Sequence, residues 1–444
     1  MQQHERPFGR RPVPAHPSRR RRARLALATG AAAALTGTLL SATAGTATAA
    51  DGTHAARADF NGDGIGDVAF SASGAFVSGK KDAGQLVVLY GTKTGVSSAK
   101  RSAISQNTTG NPGTAEAGDV FGADSAYADF NGDGYDDLAV SSPMEDVGSD
   151  KDGGTVAVLW GSAQGITGKG DSIADAAPTK HDRWGRNLAA GDFDGDGKAD
   201  LAVGNTSNTL YVLKGGISGS GTAIKGRYGV KAPVQASGDG SGPLNITAGD
   251  VNGDHRTDLV ADGFETATGH YWNTNYLLPG TSSGLSAAGA QPLKSGVITG
   301  IGDVNGDGFQ DLVNGDGFQD LVNGVAGEDI GSVTDAGQLV VLYGSASGIN
   351  TSSGTQSFAQ STAGVPGSDE KDDFLGADVK LEDVTGDGRA DVLAGSYEND
   401  GNGAVLYLPS NGTKITATGS RTVSPSDSGV STTGYPNFGA NFAD

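Results

Sequence analysis

The sequence predicts an all-β protein assembled from repeated units, and three observations carry that reading. A nine-residue Asp/Asn-Gly loop recurs six times, each loop leads into a short β-branched run, and no stretch beyond residue 50 sustains a 3.6-residue apolar period. The first loop is Asp59-Phe-Asn61-Gly-Asp63-Gly-Ile65-Gly-Asp67 and the second Asp129-Phe-Asn131-Gly-Asp133-Gly-Tyr135-Asp-Asp137. The pattern returns at Asp192, Asp194, Asp196, Lys198 and Asp200, at Asp250, Asn252, Asp254, Arg256 and Asp258, and at Asp303, Asn305, Asp307, Phe309 and Asp311. The sixth loop has Asp383, Thr385, Asp387, Arg389 and Asp391. Leading aspartates lie 70, 63, 58, 53 and 80 residues apart, which accommodates four short strands and their turns per unit.

Within a unit, the loop is followed by a strand such as Asp137-Leu-Ala-Val140 or Asp200-Leu-Ala-Val203. A second run then ends in Gly, as in Leu86-Val-Val-Leu-Tyr90-Gly91, Val156-Ala-Val-Leu-Trp160-Gly161 and Leu339-Val-Val-Leu-Tyr343-Gly344. An aromatic-Gly pair precedes several loops: Phe121-Gly122, Trp184-Gly185 and, loosened, Phe374-Leu-Gly376. With Ser141-Ser-Pro143 in a later slot, these features resemble the FG-GAP (VCBS-like) family, whose repeats are similar to those of the integrin α-subunit propeller. The resemblance spans residues 55 to 444 and implies a β-propeller of four-stranded blades, with calcium in the hairpin loops of one face and adhesion as a usual association.

The loop chemistry leads to the same ion. A D-x-[DN]-x-D-G-x-x-D loop offers carboxylate or amide oxygens at positions 1, 3, 5 and 9 and leaves position 7 to give its backbone carbonyl. That all-oxygen set suits Ca²⁺ before Mg²⁺, which demands a tighter octahedron. Glycine at position 6 permits the left-handed turn around the ion. Neither a Glu at position 12 nor flanking helices are present, so the loop belongs between strands and not in an EF-hand. Metal-free Asn/Asp-Gly turns are the plain alternative; six loops of clustered carboxylates would repel themselves without a cation. His255 in place of Gly and Thr385 in place of Asn or Asp make the fourth and sixth sites the poorer ones.

The first fifty residues read as an export signal, with Arg19 to Arg24 followed by an apolar run to Leu40 and an Ala47-Thr-Ala49 cleavage pattern. Ser18-Arg19-Arg20 leaves the general secretory and twin-arginine routes both open. Residues 51–444 then form one propeller domain carrying 23 basic against 50 acidic residues, a balance that argues against nucleic acid or anionic lipid as a partner. No run is long and apolar enough for a membrane span, and with no Cys there are neither disulfides nor thiol chemistry.

No catalytic residue emerges. Gly280-Thr-Ser282-Ser-Gly284 fits a nucleophile elbow, yet Gly91 to Gly95, Gly161 to Gly165 and Gly344 to Gly348 fill the same slot, so it reads as a turn. His54, His181, His255 and His270 are scattered and read as surface residues, and Lys169-Gly-Asp171 carries no weight. Trp160 and Trp184 read as core; His270, Tyr271, Trp272 and Tyr276 are either core or an aromatic cluster able to stack on a sugar. The expectation is a secreted monomer, a calcium-binding and non-enzymatic module for an extracellular protein or glycan. An extracellular polymer-cleaving hydrolase or lyase and a structural wall protein are the alternatives.

Two features bear on the blade count. Asn305 to Val313 is repeated unchanged as Asn314 to Val322, and the extra nine residues are expected to form a local excursion. The first unit lacks an aromatic-Gly strand, while the chain ends in Phe438-Gly-Ala-Asn-Phe-Ala-Asp444, which parallels Phe121 to Asp129. Six blades closed by the terminal strand are therefore expected, with a truncated seven-bladed ring as the alternative.

Overall fold

The structure, a computed structural model, describes residues 57–175, 177–217, 226–236, 241–266, 273–293, 298–302, 311–315, 322–325, 328–341, 356–398 and 400–443. Among these, one 3-10 turn at Ala287–Gly289 is the only helical element, and no helix is long and apolar enough to cross a membrane. Everything else regular is antiparallel sheet, and the chain folds as a β-propeller of four-stranded blades.

Four sheets are complete meanders: β4 to β7 (Ser125–Ala128, Asp137–Ser142, Thr155–Leu159, Gly170–Ile173), β8 to β11 (Leu188–Gly191, Asp200–Val203, Thr209–Leu213, Arg227–Lys231), β12 to β15 (Asn245–Gly249, Asp258–Phe264, Asn273–Leu278, Gln291–Leu293) and β21 to β24 (Val379–Glu382, Asp391–Ser396, Ala404–Leu408, Arg421–Val423). A fifth sheet holds β1 to β3 (Val68–Ala72, Gln85–Leu89, Arg101–Ile104), and its missing strand is supplied by the C-terminal segment. Phe442 bridges Phe70, Ser71 N–H donates to Asn441 O at 2.7 Å, and Ala443 N–H donates to Ala69 O at 2.9 Å. The expected pairing of the terminal segment beside the first unit is thus observed, and it leaves β1 without an open edge.

The expectation of six blades is not met; among the described residues the structure has five. The unit carrying the duplication is divided into a two-stranded sheet, β16 and β17 (Ile298–Gly302, Asp311–Gly315), and a three-stranded sheet, β18 to β20 (Val322–Val325, Gln338–Val341, Gln356–Phe358). Strand register supplies the reason. In the second blade one strand, β5, pairs on both sides, with Ala139 opposite Ala126 and Val158. In the divided unit the first copy takes one side, Val313 opposite Gly300, and the second copy takes the other, Val322 opposite Val341. Asn314 and Gly315 end β17 and Val322 begins β18; the residues between them, on which the expected local excursion falls, lie outside the described residues.

Apolar residues of successive sheets interlock between blades. Phe60, Phe121, Leu138 and Leu159 fill one such layer, and Phe130, Trp184 and Leu201 the next. The layer between last and first sheets holds Phe70, Phe438 and Phe442, with Phe70 edge-on to the other two at 4.9 and 5.8 Å. Trp184 is fully buried as expected; Trp160 is only half-buried and donates its ring N–H to Asp171 at 2.8 Å. In the loosened Phe374-Leu-Gly376 element it is Leu375 that occupies the buried position, while Phe374 packs edge-on against Tyr397. His181, expected at the surface, is buried and stacked on Trp184, with Asp175 Oδ1 3.3 Å from its Nε2. His54 and the His270, Tyr271 and Trp272 cluster lie outside the described residues; Tyr276 packs half-buried against the core.

Among the described residues the Gly-x-x-x-Gly segments are turns, Gly280 to Gly284 included, where Gly284 N–H donates to Thr281 O at 2.7 Å; Gly344 to Gly348 lies outside them. Their last glycine is a seat for a neighbouring blade's tyrosine. A Cβ on Gly95, Gly165 or Gly284 would stand 2.3, 2.2 or 2.0 Å from the hydroxyl of Tyr407, Tyr90 or Tyr228, and all three glycines have positive φ. In two seams the hydroxyl accepts the next backbone N–H, from Ile166 and from Leu285, each at 2.8 Å. Gly165→Ala is accordingly expected to cost about 3 kcal/mol, combining left-handed strain with overpacking. Urea unfolding measures it, and Tyr90→Phe in the same chain should recover part of the loss; an unchanged midpoint would refute the seat.

Candidate metal centre

Five of the six acidic loops lie within the described residues; Asp303, Asn305, Asp307 and Phe309 of the fifth lie outside them. Loops two, three, four and six join the first and second strands of their blades (β4 to β5, β8 to β9, β12 to β13, β21 to β22), and loop one leads into β1. None caps a helix.

Each described loop is wound around its leading aspartate. Asp59 accepts N–H from Asp63 and Gly64 at 3.1 and 2.8 Å, and Asp129 accepts them from Gly132, Asp133 and Gly134 at 2.7, 3.1 and 2.9 Å. Asp192, Asp250 and Asp383 repeat the arrangement. The fifth-position aspartate then accepts N–H from the seventh residue, as Ile65 to Asp63 and Tyr135 to Asp133, both at 3.0 Å. The same bond comes from Lys198, Arg256 and Arg389, so position 7 needs only its backbone and its side chain is free to vary.

The ninth-position carboxylates are the buried floor. Asp67, Asp137, Asp200 and Asp258 are 0 % exposed and Asp391 1 %. Burial, opposed by backbone hydrogen bonds and reinforced by neighbouring aspartates, pushes Asp67 up to about 8, Asp137 and Asp200 to about 7 and Asp391 to about 6, and raises Asp258. One oxygen of each is fixed to the turn after the third strand, accepting N–H from Gly91, Gly161, Gly215, Gly280 or Ser410 at 2.6 to 2.9 Å. The other oxygen of Asp200 is buried without a partner, whereas Asp391 has the Tyr407 hydroxyl beside it. A buried carboxylate oxygen that faces further carboxylates and lacks a donor is short of a cation, so the donor set fits a hard metal ion.

The loops are not equivalent. In the third, carboxylate oxygens of Asp192, Asp194 and Asp200 come within 4.8 Å of one another, the only such acidic group among the described residues. The carboxylates of Asp129, Asp133 and Asp137, expected to converge, do not meet that spacing: Asn131 donates its amide to Asp133 at 3.1 Å, and Asp137 is held lower in the sheet by Gly161 and Phe130. Basic side chains, which loop spacing could not reveal, partly neutralise three loops. Lys214 reaches Asp194 at 2.7 Å, Arg256 reaches Asp254 at 2.5 Å, and Arg57 reaches Asp383 at 3.1 Å. Asp136, also missed, sits beneath loop one, where it accepts Asp59 N–H at 2.7 Å and burial raises it to about 6.

The fourth loop keeps its shape at a cost. His255 adopts φ 62° where the other described loops have glycine, and its N–H still donates to Asp250 at 2.8 Å. His255→Gly should relieve about 1 kcal/mol of left-handed strain, raising the urea midpoint and tightening cation binding at this loop. A lower midpoint would show that the His255 side chain contributes more than its backbone strain costs.

Comparison with known proteins bears on the repeats directly. The model of the FG-GAP repeat matches residues 52–89, 121–159 and 184–223, which contain loops one to three. The chain carries FG-GAP repeats. Phosphatidylinositol-glycan-specific phospholipase D of Mus musculus is 32 % identical over 146 residues, covering 33 % of this chain and 17 % of that protein. Integrin alpha pat-2 of Caenorhabditis elegans is 32 % identical over 190 residues, covering 38 % and 14 %. The chain thus spans less than a fifth of the curated relatives it matches. A solved rhamnogalacturonan lyase, YesW, covers 79 % of the chain at 13 % identity, but its TM-score of 0.31 is too low to bear on function.

Proposed function

We propose that this FG-GAP chain is a secreted, calcium-binding propeller that acts as a non-enzymatic binding module for an extracellular protein or glycan. The carrying observation is the recurrent floor aspartate, buried and tied by one oxygen to the turn of its own blade. Calcium at that position joins the loop between strands one and two to the turn between strands three and four, and so rigidifies the blade. Donors in the other described loops follow the same order: the side chains of Asp59, Asn61 and Asp63, the backbone of Ile65, and Asp67. The leader at residues 1–50 supports export, and extracellular calcium is abundant enough for weak sites of this class.

Occurrence of similar repeats in an integrin alpha and in a phospholipase D, covering under a fifth of each, supports a module that serves several host proteins. A screen of the exported chain against extracellular proteins and glycans, with calcium and with EDTA, tests the reading. Calcium-dependent capture of a defined class is expected, and the absence of any capture in both conditions would oppose a binding role.

A further inference from the structure

The seam between the last and first blades holds an open cleft of about 690 Å³. Lys93 and Thr94, from the turn after β2, form one wall; Thr385 and Asp387 of the sixth loop, with Ser420 and Arg421 at β24, form the other. Two positive charges in one cleft stand out on a chain of net charge -20.

Neither has a counterpart at the seam between the first two blades. Turn meets loop here through Thr92 N–H to Val384 O at 3.1 Å, as Ser162 N–H meets Phe60 O at 3.2 Å between the first two blades, which puts Lys93 where Ala163 stands. Register sets Leu393 opposite Tyr407 and Tyr407 opposite Arg421, matching Ala69 opposite Val88 and Val88 opposite Ser102, so Arg421 replaces a serine. Neither cation forms an ion pair among the described residues. Arg421 lies 4.9 Å over the Tyr407 ring and donates to Thr94 O, while its Nε is buried without a partner. Asp387, the acidic group on this wall, faces Arg389 at 3.7 Å.

Unpaired cations select an anion, and a lining of hydroxyls selects a polyol. A protein partner would want an exposed apolar anchor, and the one large apolar group in the cleft, Tyr407, is 1 % exposed. The sixth loop adds a further reason. Thr385 supplies a hydroxyl where the other described loops supply a carboxylate or amide oxygen, so a calcium ion there is one strong ligand short on the cleft side. Resting on the calcium reading above, we propose that the cleft binds a uronic acid residue of an acidic polysaccharide. Lys93 and Arg421 take its carboxylate, which also completes the ligand set of the sixth loop.

Calorimetry of the full chain with an oligogalacturonate tests this, against a neutral oligosaccharide and an oligoglutamate peptide, each with calcium and with EDTA. Heat is expected from the oligogalacturonate alone and only with calcium. Lys93→Ala should weaken it roughly tenfold, the scale of one charge-assisted hydrogen bond. Thr385→Asp should strengthen calcium binding yet weaken the uronate, since it fills the position the sugar uses. Equal binding of oligoglutamate, or an oligogalacturonate isotherm unmoved by Lys93→Ala, would overturn the proposal. A parallel terbium-luminescence titration separates the two readings: terbium bound without uronate defeats the cleft alone, and no terbium bound defeats the calcium loops beneath it.

Discussion

Removing calcium should lower the melting temperature of this protein by roughly 10 °C. Extracellular-type sites bind at about 0.1 to 1 mM, and a tenfold excess of free ion over the dissociation constant contributes about 1.4 kcal/mol per site. Six such loops give about 8 kcal/mol, comparable with the net stability of an ordinary domain. The structure shows where the loss would fall. Without a cation the floor aspartates remain 0 or 1 % exposed beside like charges, with Asp200 keeping an unpartnered oxygen. Loops one and two, which lack the ion pairs that Lys214, Arg256 and Arg57 provide elsewhere, should loosen first. Calorimetric melts with calcium, magnesium and EDTA test this; superimposable traces would sink the structural role, and full rescue by magnesium would reassign the ion.

Much of this arrangement is legible in the chain because it is local. Oxygens at fixed offsets within nine residues announce the loop, and the aromatic-Gly pair at Phe438 announces the strand that closes the first blade. What escapes is long-range. Asp67 is fastened to Gly91, Asp194 to Lys214 and Asp383 to Arg57, at separations of 24, 20 and 326 residues; Gly91 is recognisable only as the end of a strand and a turn, and the two basic partners belong to no motif. Leu375 shows a different limit. An eye searching for an aromatic settles on Phe374, but the buried slot accepts any large apolar side chain, and position in the turn decides which residue enters it. The divided unit escapes for a third reason, since nothing in two identical segments says that Val313 and Val322 take different partners.

Deleting Asn314 to Val322 should therefore stabilise the protein. At present Asp311–Gly315 pairs with Ile298–Gly302, and Val322–Val325 pairs with Gln338–Val341, so two strands each use one edge. After deletion Val313 is followed by Asn323, and a single strand has Gly300 on one side and Val341 on the other, as Ala139 has Ala126 and Val158 in the second blade. The ladder pairing is conserved while three fewer strand residues, Asn314, Gly315 and Val322, must be ordered. At about 1.5 kcal/mol of conformational entropy each, the gain approaches roughly 4.5 kcal/mol, or about 5 °C in the melt. The edges of β17 and β18 that are open among the described residues also disappear, which should reduce self-association of the unfolding protein. Thermal melts and light scattering of the deletion variant beside the parent chain measure both effects. A lower melting temperature would mean that the second copy has acquired contacts of its own, and that the division of this unit is a settled part of the fold.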